Sequence, residues 1–259
     1  MKALVLSAGY GERLRPLTDR TPKPILEAGG RPLIHYPLLM LRHAGIIDVA
    51  VNIHHLGGKI KEALGDGGGM GLRITYSPEP TLAGTGGSLL ALRDFFGNET
   101  FALLNCDTIV DLDLRAMIAA HRASGALATL LLRAAGAGGA YSGIECGHDG
   151  RIRRMRLLTG RTPGEFADFP AGLSSGETAA LRLYMYCGVM ICESGVFSIT
   201  PSAPPFGLMT EVFAPALARG AALQGHVHAG YFRTVDDLAG YEALCAELAA
   251  GDTPLRYLD

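Results

Sequence analysis

Short apolar runs alternate with longer amphipathic stretches through the first half of the chain. The short runs predict buried strands, and the stretches between them predict helices. Alternation of this kind is typical of parallel β-α-β units in a doubly wound α/β sheet with helices on both faces. The predicted strands are Ala3–Leu6, Asp48–Ile53, Leu72–Tyr76, Phe101–Leu104 and Leu127–Arg133, and the predicted helices are Pro32–His43, Leu56–Leu64, Gly87–Phe96 and Leu112–Ser124.

The second half of the chain has a less regular pattern. Ala134–Gly139 predicts a flexible joint, and an Asp-Gly turn at residues 149–150 predicts a hairpin. Gly, Pro, Ser and Thr dominate residues 159–180, which predicts a mobile loop. We therefore expect one domain over residues 1–259 with a small β-rich subregion. Its predicted elements are the hairpin strands Ser142–Cys146 and Arg151–Leu158, a strand at Leu183–Cys192, and helices at Leu208–Leu217 and Val235–Ala249.

Composition excludes several classes of protein. The 259 residues are 48% hydrophobic, so a sizeable core can form, and the net charge of −2 argues against binding to nucleic acid or a membrane surface. No apolar run approaches the roughly 18 residues of a membrane span, and no secretory signal follows Met1. The five scattered cysteines lack metal-site spacing. We therefore expect a cytoplasmic protein with reduced thiols.

The densest chemistry lies directly after the first predicted strand. Residues 4–26 read LVLSAGYGERLRPLTDRTPKPIL. Glycines at 9 and 11 allow backbone N–H groups to approach an anion, and Arg13 and Lys23 supply positive charge. The spacing matches neither a P-loop nor a dinucleotide fingerprint, and the prolines disfavour a continuous helix. This segment therefore predicts an extended loop that binds a polyphosphate.

The same segment resembles the signature of a known enzyme family. Gly9-x-Gly11-x-Arg13-Leu14-x-Pro16-Leu17-Thr18, followed by Pro22-Lys23-Pro24, is similar to the motif of the sugar-1-phosphate nucleotidyltransferases. The resemblance is specific from Met1 to about Arg133. It implies a Rossmann-like fold and formation of a nucleoside-diphosphate sugar and pyrophosphate from a nucleoside triphosphate and a sugar 1-phosphate. Residues 1–133 would then be the nucleotide-binding half, and 134–259 the sugar-binding half with a C-terminal helix.

The resemblance also implies roles for individual residues. Arg13 would contact the phosphates, and Lys23 would stabilise charge near the attacked α-phosphate. Asp107 matches the family's metal aspartate, which implies Mg²⁺ as cofactor. The implied nucleotide-binding residues are Ser7, Ala8, Gly9, Gly11, Glu79, Gly84 and Thr85, and the implied sugar-binding residues are Asn105, Tyr141, Gly143, Glu145 and Gly188.

The choice of nucleotide depends on the loop that follows the third predicted strand. A carboxylate at Glu79 can accept both N1–H and N2–H of guanine, although it can also accept N3–H of uracil. GTP with a mannose- or heptose-type sugar 1-phosphate is therefore the first expectation, supported by a resemblance of residues 46–92 to bacterial guanylyltransferases. The alternative is a UTP-dependent N-acetylmuramic acid 1-phosphate uridylyltransferase, which the runs around Asp66 and Glu79 also resemble.

One departure from the family pattern lies near the C-terminus. Members usually carry a second metal aspartate in a string of the type Asp-x-Gly-Thr-x-x-Asp-Leu. Aligning Thr234 and Leu238 with this string places Tyr231 at the aspartate, so Asp236 or Asp237 would have to substitute unless one of them caps the last helix. This departure leaves open a catalytically weak, nucleotide-sugar-binding regulatory protein. The expected partners are the two substrates, without nucleic acid or membrane, and homo-oligomerisation stays open.

Overall fold

The computed structural model describes residues 1–135, 142–158, 166–170, 173–251 and 253–258. The strands in these ranges are β1 (Lys2–Leu6), β2 (Glu27–Ala28), β3 (Arg31–Pro32), β4 (Asp48–Ile53), β5 (Arg73–Pro78), β6 (Phe101–Asn105), β7 (Ile109–Val110), β8 (Ala128–Ala134), β9 (Gly143–Cys146), β10 (Ile152–Leu158), β11 (Phe166–Phe169), β12 (Arg182–Cys192), β13 (Leu223–Val227) and β14 (Phe232–Arg233). The helices are α1 (His35–His43), α2 (Gly57–Leu64), α3 (Gly84–Leu90), α4 (Arg93–Phe96), α5 (Leu114–Ser124), α6 (Ser175–Ala179), α7 (Ala214–Ala218) and α8 (Leu238–Ala249).

Parallel strands from the first half form the part of the sheet that carries the site. β1 pairs in parallel with β4 on one side and with β6 on the other, and β5 pairs in parallel with β4. Carboxyl ends of parallel strands meet at the same edge of a sheet, which is where ligands bind in such folds. The residues that follow β1, β5 and β6 are therefore gathered at this edge.

Strand β12 joins the second half of the chain to the first. It runs antiparallel to β6, with Val189 opposite Leu104, and antiparallel to β8 on its other side. β9, β10 and β11 continue the sheet with antiparallel pairings, in the order β5-β4-β1-β6-β12-β9-β10-β11. The expected α/β sheet with a β-rich subregion is confirmed.

Two hydrophobic cores lie on opposite faces of this sheet. Ala3 and Val5 belong to one core and Leu4 to the other, and all three side chains are fully buried. A strand covered on both faces has no polar side to display, which explains the continuous apolar run that predicts β1. Helices α1, α2, α5 and α8 contribute to the first core, whereas α3, α4 and α7 contribute to the second.

Some predicted element boundaries are wrong. The helix predicted at Gly87–Phe96 is two helices, α3 and α4, which are separated by a turn at Ala91 and Leu92. The loop predicted at residues 159–180 contains β11 and α6. β11 pairs with β10 and is held there by an ion pair between Arg156 and Asp168, with an Nε–Oδ1 distance of 2.9 Å. Residues 159–165 and 171–172 of this loop, and 136–139 of the predicted joint, lie outside the described residues.

Within the ranges that the structure describes, every helix is too short or too polar to cross a bilayer.

A buried histidine predicts a pH dependence of stability. On α5, His121 Nδ1 lies 2.8 Å from Thr129 Oγ1, and His121 Nε2 lies 3.0 Å from Glu193 Oε1. Burial lowers the pKa of His121. As the pH falls through about 6.5, the unfolded chain binds a proton at this residue, whereas the folded chain binds it only at lower pH. The free energy of unfolding therefore falls as the pH decreases. We expect His121→Asn to lose less stability than wild type between pH about 7.5 and about 5.5 in thermal unfolding. The exposed His43→Asn variant serves as control, and an unchanged slope in His121→Asn would contradict the prediction.

Candidate active site

A cleft of about 740 Å³ lies at the carboxyl edge of β1, β5 and β6. This volume falls within the range of small-molecule sites in proteins. The structure therefore brings together residues from three separate parts of the sequence. The predicted site residues in its wall are Ser7, Ala8, Gly9, Gly11, Arg13, Lys23, Glu79, Gly84, Thr85, Asn105 and Asp107.

The loop after β1 folds as a series of short 3₁₀ turns. The first turn begins after Gly11, which has a φ of 66°, and Thr18 Oγ1 donates to the Gly11 carbonyl over 2.9 Å. A Cβ atom at residue 11 would lie 2.9 Å from the Thr18 methyl carbon. Glycine is therefore required here by both the left-handed backbone and the close approach. The further turns Leu17–Asp19 and Lys23–Ile25 return the chain to the cleft and present Lys23 to it.

Two ion pairs connect this loop with the opposite wall. Lys23 Nζ contacts Asp107 Oδ2, and both side chains are largely buried. Arg13 Nη2 lies 3.0 Å from Asp236 Oδ1, and the Arg13 side chain is 69% exposed. The cleft thus has an inner, protected pair and an outer pair that solvent or a ligand can reach. Burial raises the pKa of the neighbouring Cys106 thiol to about 12, so this cysteine stays protonated and is not a nucleophile.

The C-terminal segment enters the site through a short antiparallel pairing. Phe232 of β14 pairs with Val110 of β7, which places the next residues beside the end of β6. Thr234 Oγ1 then donates to Asp107 Oδ2 over 3.3 Å. Thr234, and not Tyr231, is therefore the residue of this segment that faces the aspartate. Tyr231, which the alignment places at the family's aspartate, packs its ring against Arg233, with the guanidinium carbon 5.5 Å from the ring centroid.

The two aspartates that follow have different positions. Asp236 lines the cleft. Asp237 Oδ1 accepts from Gly240 N over 2.8 Å, so it caps α8. Of these two residues, only Asp236 presents its carboxylate to the site.

A chain of buried polar groups links the loops around the cleft. Asn52 Oδ1 accepts from Ser7 N over 2.7 Å, and Asn52 Nδ2 donates to Glu79 Oε1 over 2.8 Å. Ser88 Oγ also donates to Glu79 Oε1, over 2.6 Å. Sequence reasoning missed Asn52, because it lies inside a strand that otherwise reads as apolar. A polar residue near the carboxyl end of a parallel strand was the available signal.

This chain changes the interpretation of Ser7 and Glu79. Glu79 Oε2 also accepts from Ala83 N over 3.0 Å, so its carboxylate receives three hydrogen bonds from the protein. The Ser7 N–H is bonded to Asn52 and is not directed at a ligand. Both residues line the cleft, but their polar groups hold the loops in place. The guanine preference expected from Glu79 therefore lacks geometric support.

The start of α3 is fixed by a segment from the second half of the chain. Gly86 N donates to the Phe206 carbonyl over 3.0 Å, and Leu208 N donates to Thr85 Oγ1 over 2.9 Å. Gly84 has a φ of 71°, and a Cβ there would lie 2.5 Å from the Phe206 oxygen. The glycines of this turn thus permit contact with protein backbone, and the Thr85 hydroxyl oxygen accepts a hydrogen bond from the same segment.

The predicted sugar-binding residues are only partly brought together. Asn105 lines the cleft, whereas Gly188 lies outside its wall and packs against Asn105, where a Cβ at residue 188 would lie 2.9 Å from the Asn105 amide nitrogen. Gly143 lies outside the cleft wall, and so does Glu145, which is ion-paired with Arg154 at 2.5 Å. That ion pair engages the Glu145 carboxylate within β9 and β10, and its sugar-binding role stays a prediction. Tyr141 lies outside the described residues.

The donor set in the cleft fits a magnesium ion. The Asp107 carboxylate and the Thr234 hydroxyl are hard oxygen ligands on one side of the cleft, whereas the Asp236 carboxylate in the same wall is paired with Arg13. The contact with Lys23 places a cation against Asp107 in this structure. Mg²⁺ commonly binds through few protein oxygens together with phosphate and water.

Comparison with known proteins identifies the family. The Nucleotidyl transferase family model matches residues 2–156, and the chain belongs to this family. The N-acetylmuramate alpha-1-phosphate uridylyltransferase of Neisseria meningitidis is 47% identical over 118 residues, which are 45% of this chain and 51% of that protein. The mannose-1-phosphate guanylyltransferase of Mycobacterium tuberculosis is 28% identical over 253 residues, which are 97% of this chain and 66% of that protein.

A solved structure supports the fold. HddC from Yersinia pseudotuberculosis, complexed with GMP-PN, superimposes with a TM-score of 0.73 at 17% identity, covering 95% of this chain and 98% of that chain. The family and fold expected from the sequence are thereby confirmed. The chain spans 51% and 66% of the lengths of the two relatives described above.

Proposed function

We propose that this chain transfers a nucleotidyl group from a nucleoside triphosphate to a sugar 1-phosphate and releases pyrophosphate. One observation carries the proposal: Arg13, Lys23 and Asp107 line one cleft at the carboxyl edge of the sheet, with Lys23 against Asp107. Two cations beside a carboxylate suit a polyphosphate and its metal ion. Family membership supports the same reaction.

The reaction needs positioning and charge neutralisation more than acid–base chemistry. An oxygen of the sugar phosphate attacks the α-phosphorus of the nucleoside triphosphate. The bond from that phosphorus to the oxygen that bridges the α- and β-phosphates breaks, and pyrophosphate leaves. The exposed Arg13 guanidinium would neutralise the leaving pyrophosphate, and Lys23 would stabilise charge at the α-phosphate. The attacking phosphate is already an anion, so no general base and no covalent enzyme intermediate are required.

Magnesium is the proposed cofactor. Asp107 would hold the ion with the Thr234 hydroxyl beside it, and phosphate oxygens and water would complete its coordination. When bound, Mg²⁺ supplies charge neutralisation to the triphosphate.

We propose UTP as the nucleotide and N-acetylmuramic acid 1-phosphate as the sugar substrate. The identity of 47% with a uridylyltransferase over 118 residues supports this choice. The hydrogen bonds of Glu79 to Asn52, Ser88 and Ala83 remove the earlier reason for preferring guanine. GTP with a mannose- or heptose-type sugar 1-phosphate is the second candidate, because a guanylyltransferase aligns along 97% of the chain.

Pyrophosphate release tests the reaction. Purified protein with Mg²⁺ would be assayed with UTP and GTP, each combined with N-acetylmuramic acid, mannose, heptose and glucose 1-phosphates. Release that depends on both substrates, together with a nucleotide sugar in the products, is the expected result. Absence of turnover with every pair would contradict the proposal.

A regulatory protein that binds nucleotide sugars is the candidate from another class. The family string has an aspartate where this chain has Tyr231, and this departure motivates the candidate. Tight binding of a nucleotide sugar without turnover, measured by calorimetry, would support it against the enzyme.

A substitution at Glu79 separates a structural role from base recognition. In wild type, protein donors meet both carboxylate oxygens of Glu79. In Glu79→Gln, an amide N–H₂ group replaces one of these oxygens and cannot accept a hydrogen bond, so the loop loses order. We expect KM for UTP and for GTP to rise by the same factor, roughly tenfold. Steady-state kinetics would measure both values, with Glu12→Gln as a control that removes one exposed charge from the same cleft. A rise confined to GTP would contradict this expectation and restore guanine recognition.

A further inference from the structure

The outer ion pair closes a bridge across the mouth of the cleft. Arg13 and Asp236 are 223 positions apart in sequence, and their side chains meet at 3.0 Å. Both residues line the cleft, and the Arg13 guanidinium is the group that a triphosphate would meet from solvent. Asp236 therefore holds the cation that the proposed function assigns to phosphate.

The backbone around Asp236 is anchored on both sides. Val235 before it is fully buried, and Asp237 after it caps α8 through Gly240 N at 2.8 Å. The backbone therefore keeps residue 236 in the cleft wall when a ligand arrives. A polyphosphate that engages Arg13 would leave a carboxylate without its partner next to its own negative charge.

The C-terminal segment that follows β14 presents a neutral group and a charged group to different parts of the cleft. Thr234 faces Asp107 with a neutral hydroxyl, and the carboxylate lies two residues later, against Arg13. The segment thus carries its negative charge where it opposes phosphate binding and not where it adds to the Asp107 cation site.

We propose that Asp236 makes polyphosphate binding dependent on a divalent cation, by competing with phosphate for Arg13 and by repelling metal-free phosphate. The proposal rests on the proposed function only for the choice of ligand. An exposed ion pair contributes modestly, and repulsion inside a cleft adds to it. A phosphate tail that carries its own Mg²⁺ avoids most of the repulsion, so the penalty from Asp236 falls when the metal is present.

The test measures binding without the reaction. Isothermal titration calorimetry at low ionic strength would give the Kd of inorganic tripolyphosphate and of UTP for the full chain, once in EDTA and once in excess MgCl₂. Asp236→Asn and Asp236→Ala would be compared with wild type. Asp19→Asn is the matched control, because Asp19 forms an exposed pair with Arg15 at 3.2 Å on the same loop, outside the cleft wall.

In EDTA, we expect both Asp236 variants to bind each ligand about three- to tenfold more tightly than wild type. In MgCl₂ this gain should shrink to less than about twofold. Unchanged or weaker binding in EDTA would overturn the proposal, because Asp236 would then only position Arg13. An equal gain in Asp19→Asn would also overturn it, because the effect would then come from net charge.

If turnover is found but the Asp236 variants show no gain, this proposal alone fails. If no substrate pair turns over, the proposed function fails, while tripolyphosphate binding still decides the role of Asp236.

Discussion

Replacing Asp107 by Asn is expected to lower kcat/KM for nucleotide-sugar formation by roughly 1,000-fold. The substitution keeps the shape of the side chain and removes the negative charge that Lys23 contacts and that the proposed metal ion requires. Because Thr234 is the neighbour on this carboxylate and carries no charge, it cannot replace Asp107. Steady-state kinetics of pyrophosphate release with the active substrate pair would measure the loss.

The control for this substitution lies six residues further along the chain. Asp113 caps α5 by accepting from Ala116 N over 3.0 Å, and Asn is an equally good cap. Asp113→Asn should therefore retain wild-type kcat/KM and stability. Activity of Asp107→Asn within about tenfold of wild type would rule out the central role of this carboxylate.

Replacing Gly84 by Ala is expected to destabilise the fold by about 3 kcal/mol. The position has a φ of 71°, and the new methyl group would lie 2.5 Å from the carbonyl oxygen of Phe206. A rotamer change cannot relieve this clash, because the obstacle is backbone. The cost therefore combines conformational strain with a forced displacement of the segment that holds α3. Urea unfolding of both proteins would measure the difference.

Gly58 provides the comparison for this variant. It lies on α2, and a Cβ there would have no heavy atom within 4 Å. Gly58→Ala should stabilise the protein by about 0.5 to 1 kcal/mol through helix propensity. Equal stability of the two variants would show that the predicted clash at residue 84 is absorbed by the surrounding chain.

The sheet could be predicted from the sequence because its central strands are buried on both faces. The interior of a strand such as β4 is then mostly apolar, and the predicted range Asp48–Ile53 is also the observed one. The loop after β1 was predictable for a similar reason, because its glycines and prolines directly follow a buried strand and end it. Its proposed role and the ligation of Mg²⁺ remain predictions.

Local patterns failed where a contact involves residues far apart in sequence. Asn52 gives no periodic signal, and its importance comes from reaching Ser7 and Glu79 in two different loops. Glu79 reads as a ligand-binding carboxylate in isolation, yet three donors from the protein occupy it. The strand at Phe166–Phe169 was missed because its partner, β10, supplies the pairing that the local composition disfavours.

The amino-acid sequence by itself determined the α/β class, the strand that leads into the cationic loop, and the family to which the chain belongs. Each of these features depends on a continuous segment of the sequence, where burial and backbone geometry restrict each residue directly. Only the tertiary structure decided that Thr234 faces Asp107, that Asp236 opposes Arg13 and that Asp237 caps a helix. Adjacent residues in one extended segment point in different directions, and the pairing of β14 with β7 sets which of them reaches the cleft.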